Sequence, residues 1–394
     1  MRFEWLVIAG LVGLVGCGGG VSVCTGAETC DPTGFSGGDP TKIAEIALGW
    51  GHTCTRDGAG TVRCAGSNAN GQLGNGEATS YPTDGVAEPI VVPLAEPARQ
   101  IAASGSLTCA LTSEVDCWGN DGSGSLGLAA TADKPSPTRV EGIDGARVVS
   151  IHVGGSSNGC ALLDDGSARC WGNNESGQVS PGAGTYYFPA AIPAPISGIR
   201  QLALGGTFTC ALTNDGAVMC WGCTWKAEGG NDYCTPPEPL PIADLGEVRA
   251  IAAGRGHACA LRADGALWCW GLNMWQELGD GTWTTRPTAA PVLSVSDVAS
   301  LALGWDHTCA VTSQHEAICW GANAFGATGN GMQGVSAAPA TALDRVKTIA
   351  GGGGGHTCAI RQDGTAWCWG WNPYGQIGDG TREDRLVPVP MLPP

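Results

Sequence analysis

Basic residues are scarce: the 394-residue chain holds 20 Lys and Arg against 36 Asp and Glu, a formal charge of −16. A surface that acidic repels phosphate backbones and argues against a nucleic-acid partner. Long helices are missing too. No capped stretch of period 3.6 runs on for three turns, and 64 glycines with 24 prolines would interrupt one. The apolar run from Leu6 to Val15 is too short to span a bilayer as a permanent helix. Catalytic signatures are also absent. There is no nucleophile elbow, no HExxH and no carboxylate pair at a credible spacing. "GGGGGH" (351–356) lacks the lysine and following helix of a phosphate loop. "GDGT" at 279–282 and 378–381 fits a turn better than a calcium loop.

What the chain does have is short apolar runs bounded by Gly, Pro, Asn and Asp, the pattern of an all-β fold. Hydrophobic residues at 43% suffice for a core. Nineteen cysteines in a reducing cytosol would require a metal. The N-terminus points elsewhere. "MRFEWLVIAGLVGLVGC" has one Arg, an apolar run and then Gly16-Cys17, which reads as a signal peptide. Its last four residues, "LVGC", resemble the lipobox of bacterial lipoproteins, in which the cysteine is lipidated and becomes the first mature residue. Glu4 departs from that pattern by cancelling the charge of Arg2, and an ordinary signal peptide with a coincidental cysteine is the alternative. By the sorting rule of that family, Gly18 after Cys17 implies the outer membrane.

Fourteen of the other cysteines form seven pairs: Cys54 with Cys64, Cys109 with Cys117, Cys160 with Cys170, Cys210 with Cys220, Cys259 with Cys269, Cys309 with Cys319 and Cys358 with Cys368. Six pairs are ten residues apart and one is eight, both even spacings. Around a three-residue hairpin loop, residues equidistant from the turn face each other. Asp264-Gly265 at the centre of the fifth pair suits a type I turn closed by a left-handed glycine. Opposed residues lie within disulfide reach, at Cα separations of roughly 4.5–5.5 Å. The pairs therefore read as staples; cysteines facing one another across two strands leave no four-fold cage for zinc. The remaining four pair locally, Cys24 with Cys30 and Cys223 with Cys234. "CWGC" at 220–223 has redox-motif spacing, but it follows a strand instead of opening a helix.

The first cysteines recur every 49 to 55 residues, and a period near 50 with several short strands per unit indicates a propeller. Each unit reads as a first strand ("IAEIAL", "VRAIAA", "VASLAL"), a "GxxH" loop, the stapled hairpin, then "WGxNxxGQLGxG" and a Pro-flanked strand. This pattern resembles the regulator of chromosome condensation repeat, most closely in "AGSNANGQLGNG" (65–76) and "WGWNPYGQIGDG" (369–380). The resemblance implies an all-β, seven-bladed β-propeller with one disulfide-stapled hairpin per blade over residues 41–394. Residues 1–16 are then a lipoprotein signal peptide, and 17–40 a lipidated Cys17 with a Gly-rich linker. The tail "RLVPVPML" (385–392) is expected to supply an outer strand missing from the first blade, closing the ring. Trp118, Trp171, Trp221, Trp270, Trp320 and Trp369 share one repeat position and are expected between blades; Ala65 stands there in the first unit.

Strand alternation sends the first-to-second and third-to-fourth connections to one face. That face carries Trp50, Arg255, Met274, Trp275, Trp305, Asp306, Phe325, Trp371 and Tyr374. These positions vary between repeats, so the fold does not dictate them, and aromatics, Met and Arg suit a recognition surface. The alternative is that each covers its own loop. An insertion in the fourth unit, "CTWKAEGGNDYC", adds Trp225, Lys226 and Tyr233, either as a preorganised contact loop or as a stabilised insertion. Tyr186, Tyr187 and Phe188 lie where a fourth strand should start, exposed or buried. His52, His257, His307 and His356 share one position and invite a metal; the resemblance implies a hydrogen-bonding role within the blade instead. His315 reads as a turn residue.

These readings describe an exported, lipid-anchored, monomeric propeller. Its expected role is to bind a protein or glycan at the aromatic face without catalysis, cofactor or metal. The resembled family includes a nuclear guanine-nucleotide exchange factor, a role excluded by export and acidity, and a secreted inhibitor of β-lactamases. Two alternatives are such an inhibitor-like clamp and a metal-dependent propeller lyase using the histidine ring.

Overall fold

The computed structural model describes residues 38–393 except 80–83, 130–131, 156, 226–232 and 235–237. It also gives the backbone of a hairpin, Leu14–Cys17 with Gly20–Val23, and of Thr224, Trp225, Tyr233 and Cys234. Seven antiparallel sheets follow one another along the chain. Blade 1 is Ile43–Leu48, His52–Asp57, Val62–Gly66 and Val86–Val91. Blades 2, 3 and 4 open with Gln100–Ser104, Val148–Gly154 and Ile199–Leu204. Blades 5, 6 and 7 open with Val248–Ala253, Val298–Leu303 and Val346–Gly351. Each opening strand touches that of the next blade, and blade 7 touches blade 1, so the seven line one axis. The hairpin at Leu14–Val23 meets the opening strand of blade 6, with Gly20 opposite Ala302.

The core is divided rather than central. Seven clusters of buried side chains each join two adjacent blades, one at every interface. The repeated tryptophans sit in them, fully buried. Trp118 Nε1 donates to the Gln72 carbonyl of the preceding blade at 3.0 Å, and Trp320 does the same to Glu277 at 3.0 Å. Close approach explains one recurring glycine: a Cβ at Gly279, where φ is +66°, would stand 2.6 Å from Trp320 Nε1.

Every expected staple forms, one per blade. In blades 1 to 4 the disulfides join Cys54 to Cys64, Cys109 to Cys117, Cys160 to Cys170 and Cys210 to Cys220. In blades 5 to 7 they join Cys259 to Cys269, Cys309 to Cys319 and Cys358 to Cys368. Each links directly opposed residues of the second and third strands. Their Cα separations are 4.0–4.1 Å, shorter than the roughly 4.5–5.5 Å expected of opposed strand residues. The turns between them follow the glycine logic. Gly265 has φ +83° and donates to the Arg262 carbonyl at 3.0 Å; His315 holds the same left-handed conformation, φ +65°, in blade 6. Cys223 is disulfide-bonded and stands opposite Cys234 in the backbone register. Cys24, Cys30 and the Cys17 side chain lie outside the described residues.

The expected ring closure is corrected by the structure. Arg385–Pro390 is the fourth strand of blade 7, with Val389 opposite Cys368, and blade 1 has its own outer strand, Val86–Val91. The ring begins at an inner strand, and each of its seven units carries its own outer strand. The seam is instead sewn by individual bonds. Ile43 N donates to the Gly364 carbonyl at 2.9 Å, Gly353 N to Gly49 at 3.1 Å, and Arg382 to the Gly85 carbonyl at 2.6 Å. A buried cluster from Ile43 to Met391 fills the space between.

Candidate functional site

The connections at one end of the propeller are tied into a rigid collar. Trp50 N donates to the Gly105 carbonyl at 2.7 Å, Gly206 N to Arg255 at 2.9 Å, and Arg255 N to Trp305 at 3.2 Å. Each bond crosses from one blade to the next, so these loops are fixed by their neighbours and not only by their own sheets. Third-to-fourth connections are built around a buried asparagine. In blade 6 the Asn323 amide donates to Asn330 Oδ1 and the Met332 carbonyl, and its oxygen accepts from Thr328 N at 2.9 Å.

On this frame the aromatics of four blades converge. A groove of about 360 Å³ is lined by Trp50 of blade 1, Trp275 of blade 5, Trp305 and Phe325 of blade 6, and Trp371 of blade 7. Trp50 and Trp371 meet edge to face with centroids 4.8 Å apart, and Tyr374 stands edge-on to Trp371 at 5.4 Å. Phe325 tilts against Trp371 at 6.0 Å. Trp275 and Phe325 are nevertheless 45% and 44% exposed, so their rings are presented, not stored. Trp305 lies across the axis: its Nε1 would be 2.6 Å from a Cβ at Gly353 of blade 7 and 3.2 Å from one at Gly155 of blade 3. Arg255 places its guanidinium 5.2 Å over the Trp305 ring. Met274 is exposed on the rim and does not line the groove. The Trp225, Lys226 and Tyr233 side chains lie outside the described residues.

One carboxylate faces the groove. Burial pushes the Asp306 carboxyl above its ordinary value, against a smaller opposing effect of the Arg255 charge. Behind it Glu277 is 1% exposed and accepts a hydrogen bond from Trp275 N at 2.7 Å. Burial raises its pKa to about 7, and Asp306 adds to the rise. Elsewhere a glutamine fills the Glu277 position: Gln72 and Gln376 accept in the same way from Asn70 N and Tyr374 N.

Sequence reasoning missed why the groove is hollow. Blade 6 has Ala327 at that glutamine position, with Ala322, Ala324 and Gly353–Gly355 alongside. Aligning the repeats for small residues, rather than for aromatics, carries that signal. It also missed Trp283 and Met332, 57% and 64% exposed on the same connections, because the turn motifs before them drew the reading. Tyr186 and Tyr187 are exposed, while Phe188 packs against the cluster between blades 3 and 4.

The four histidines do not converge on a metal site. Each is buried, with Nε2 bonded to a threonine of the next blade: His52 to Thr108 at 2.8 Å, His257 to Thr308 at 2.9 Å, His307 to Thr357 at 2.9 Å and His356 to Thr53 at 3.0 Å. The role expected within a blade is therefore played between blades. Burial holds these imidazoles neutral, with pKa values lowered to about 3 or 4. Among the described residues no group of three His, Cys, Asp or Glu side chains could hold a metal ion.

Known proteins resemble the chain in both sequence and fold. The mitochondrial RCC1 domain-containing protein RUG3 of Arabidopsis thaliana is 34% identical over 141 residues, 35% of this chain and 30% of its own length. The secretion-regulating guanine nucleotide exchange factor of Mus musculus is 32% identical over 163 residues, 39% of this chain and 34% of its own. These matches span about a third of the length of either relative. Among solved structures, Prp20p from Saccharomyces cerevisiae superposes with a TM-score of 0.70 at 23% identity, covering 89% of this chain and 87% of that one. Human WBSCR16 gives 0.68 at 23% identity, over 80% of this chain and 86% of that one. Residues 43–72 and 114–161 match the regulator of chromosome condensation (RCC1) repeat, and residues 143–393 match the RCC1-like domain. The chain belongs to the RCC1-like domain family.

Proposed function

We propose that the protein is a non-catalytic binding propeller of the bacterial cell envelope that takes a protein or glycan partner on its aromatic end. One observation carries the reading: aromatic side chains from four blades meet in one groove although the fold needs none of them there. Rigid aromatic anchors on a fixed collar lose little entropy on binding. Prp20p, the yeast protein of this fold, was studied for its binding to Gsp1p and histones, which supports a protein partner in kind, not in identity. Export, and anchoring through a lipid on Cys17, are supported by the N-terminal sequence. Disulfides in every blade fit an oxidising compartment. Against the lyase alternative, each histidine of the proposed ring has its Nε2 bonded to a threonine.

The test is differential capture from cell extract and culture medium. Wild-type chain is compared with a triple variant, Trp275→Ala with Trp305→Ala and Trp371→Ala, and with Phe325→Ala alone, a milder change away from the axis. A partner held by wild type and weakened by both variants supports the reading. Identical capture by all three, with unchanged melting, contradicts it.

A further inference from the structure

The groove's polar inventory narrows the chemistry of what it accepts. His307 Nε2 is committed to Thr357, and both functions of the Asn323 amide are committed within its own loop. The Trp305 indole nitrogen is fully buried, out of a ligand's reach. What remains of the lining is the rings and indole N–H groups of Trp50, Trp275 and Trp371, the Phe325 ring, Ala322, Ala324, Ala327, Val335, glycine backbone and one carboxylate, Asp306. Among the described residues that carboxylate takes no hydrogen bond and forms no ion pair; Arg255 acts on it by charge alone. A neutral sugar could engage those indole N–H groups, but it would leave the charge of the carboxylate uncompensated. Aromatic faces grouped around a single desolvated carboxylate favour a soft cation, which the ring quadrupoles and the carboxylate attract together.

Resting on the binding-face reading above, we infer that the groove between Trp50, Trp275, Phe325 and Trp371 is a site for a methylated ammonium group, with Asp306 as its counter-charge. The whole molecule favours the same sign, since its formal charge is −16. A neighbouring cation behaves this way: the Arg255 guanidinium lies 5.2 Å over the Trp305 ring without an ion pair to Asp306. Methyl groups on nitrogen suit the site better than a bare ammonium. They spread the charge and shed water readily, and the groove offers no set of acceptors to replace lost hydration. The volume of about 360 Å³ lies within the range of small-molecule sites.

Titrating the whole oxidised chain with choline, followed by tryptophan fluorescence and calorimetry, tests this. Its neutral isostere 3,3-dimethylbutan-1-ol and the sugar cellobiose serve as comparisons. Choline should bind saturably and about tenfold or more tighter than the isostere. Asp306→Asn should erase that preference without lowering the melt. Equal binding of choline and isostere, a preference that survives in Asp306→Asn, or binding of cellobiose alone would overturn the inference. If choline fails to bind but the tryptophan variants still lose a captured partner, the cation inference falls and the binding face stands. If capture is also indifferent to the variants, both fall.

Discussion

Replacing Glu277 by glutamine should stabilise the protein, and only above a defined pH. Glu277 is 1% exposed, and burial lifts its pKa from 4.5 to about 7, with Asp306 adding to the rise. Arg255, held over Trp305, is the cation on the same side. A folded-state pKa above the unfolded value means that the folded protein binds the proton more tightly. The associated stability is complete below about pH 4.5 and is lost as pH rises through about 7. A shift of that size corresponds to roughly 3 kcal/mol at about 1.4 kcal/mol per pH unit. Glutamine already occupies the position in blades 1, 3 and 7, where its oxygen accepts the same backbone bond, so Glu277→Gln has a place to sit. For a chain of this length, 3 kcal/mol is a melting shift of about 4 °C. Thermal melts of both proteins from pH 4.5 to 8.5, disulfides intact, isolate the effect as a difference. The buried histidines impose an opposite slope at low pH, since their pKa values are depressed to about 3 or 4, but they cancel between the two proteins. The gap should be near zero at pH 4.5 and full by pH 8. A constant gap across the range, or a variant less stable at pH 8, would refute the reasoning.

Two other changes probe the frame. Changing Cys259 and Cys269 together to serine opens a loop of ten residues and should cost about 2–3 kcal/mol, read as a lower melting temperature, while non-reducing peptide mapping of wild type returns the two in one linked pair. Gly279→Ala drives a Cβ to 2.6 Å from the Trp320 indole at a φ of +66°, and should destabilise by roughly 2–4 kcal/mol; a neutral melt would show that blades 5 and 6 yield more easily than their packing indicates.

The features legible in the sequence were local. A cysteine and its partner ten residues on are opposed by hairpin geometry alone, and Asp264-Gly265 specifies the turn between them. The shorter hairpin of Cys109 and Cys117 obeys the same rule, since losing one residue from each strand leaves the two cysteines opposed. Tryptophans recurring at one position of the third strand in six of the seven units are placed between blades because a repeated side chain beside a varying loop has a repeated environment. Features that depend on ring closure were not legible. Each histidine's threonine partner lies in another blade, as His356 and Thr53 show from far-apart stretches of the chain. The tail's strand pattern fits either edge equally well, and only the count of complete units places it in blade 7. The aromatic residues of the face could be named from strand alternation, but not their grouping. Ring curvature brings blades 5, 6, 7 and 1 together over Ala327, where a small residue in place of glutamine leaves the space.

The account rests on which end of the propeller meets its partner, and hydroxyl-radical footprinting of the captured complex measures that directly. Oxidation of Trp50, Trp275, Phe325 and Trp371 should fall on binding, while the hairpin turns on the opposite end, read through His315 of blade 6 and Trp367 of blade 7, keep their reactivity. Protection of those turns, with the four aromatic rings as reactive as in the free protein, would contradict it.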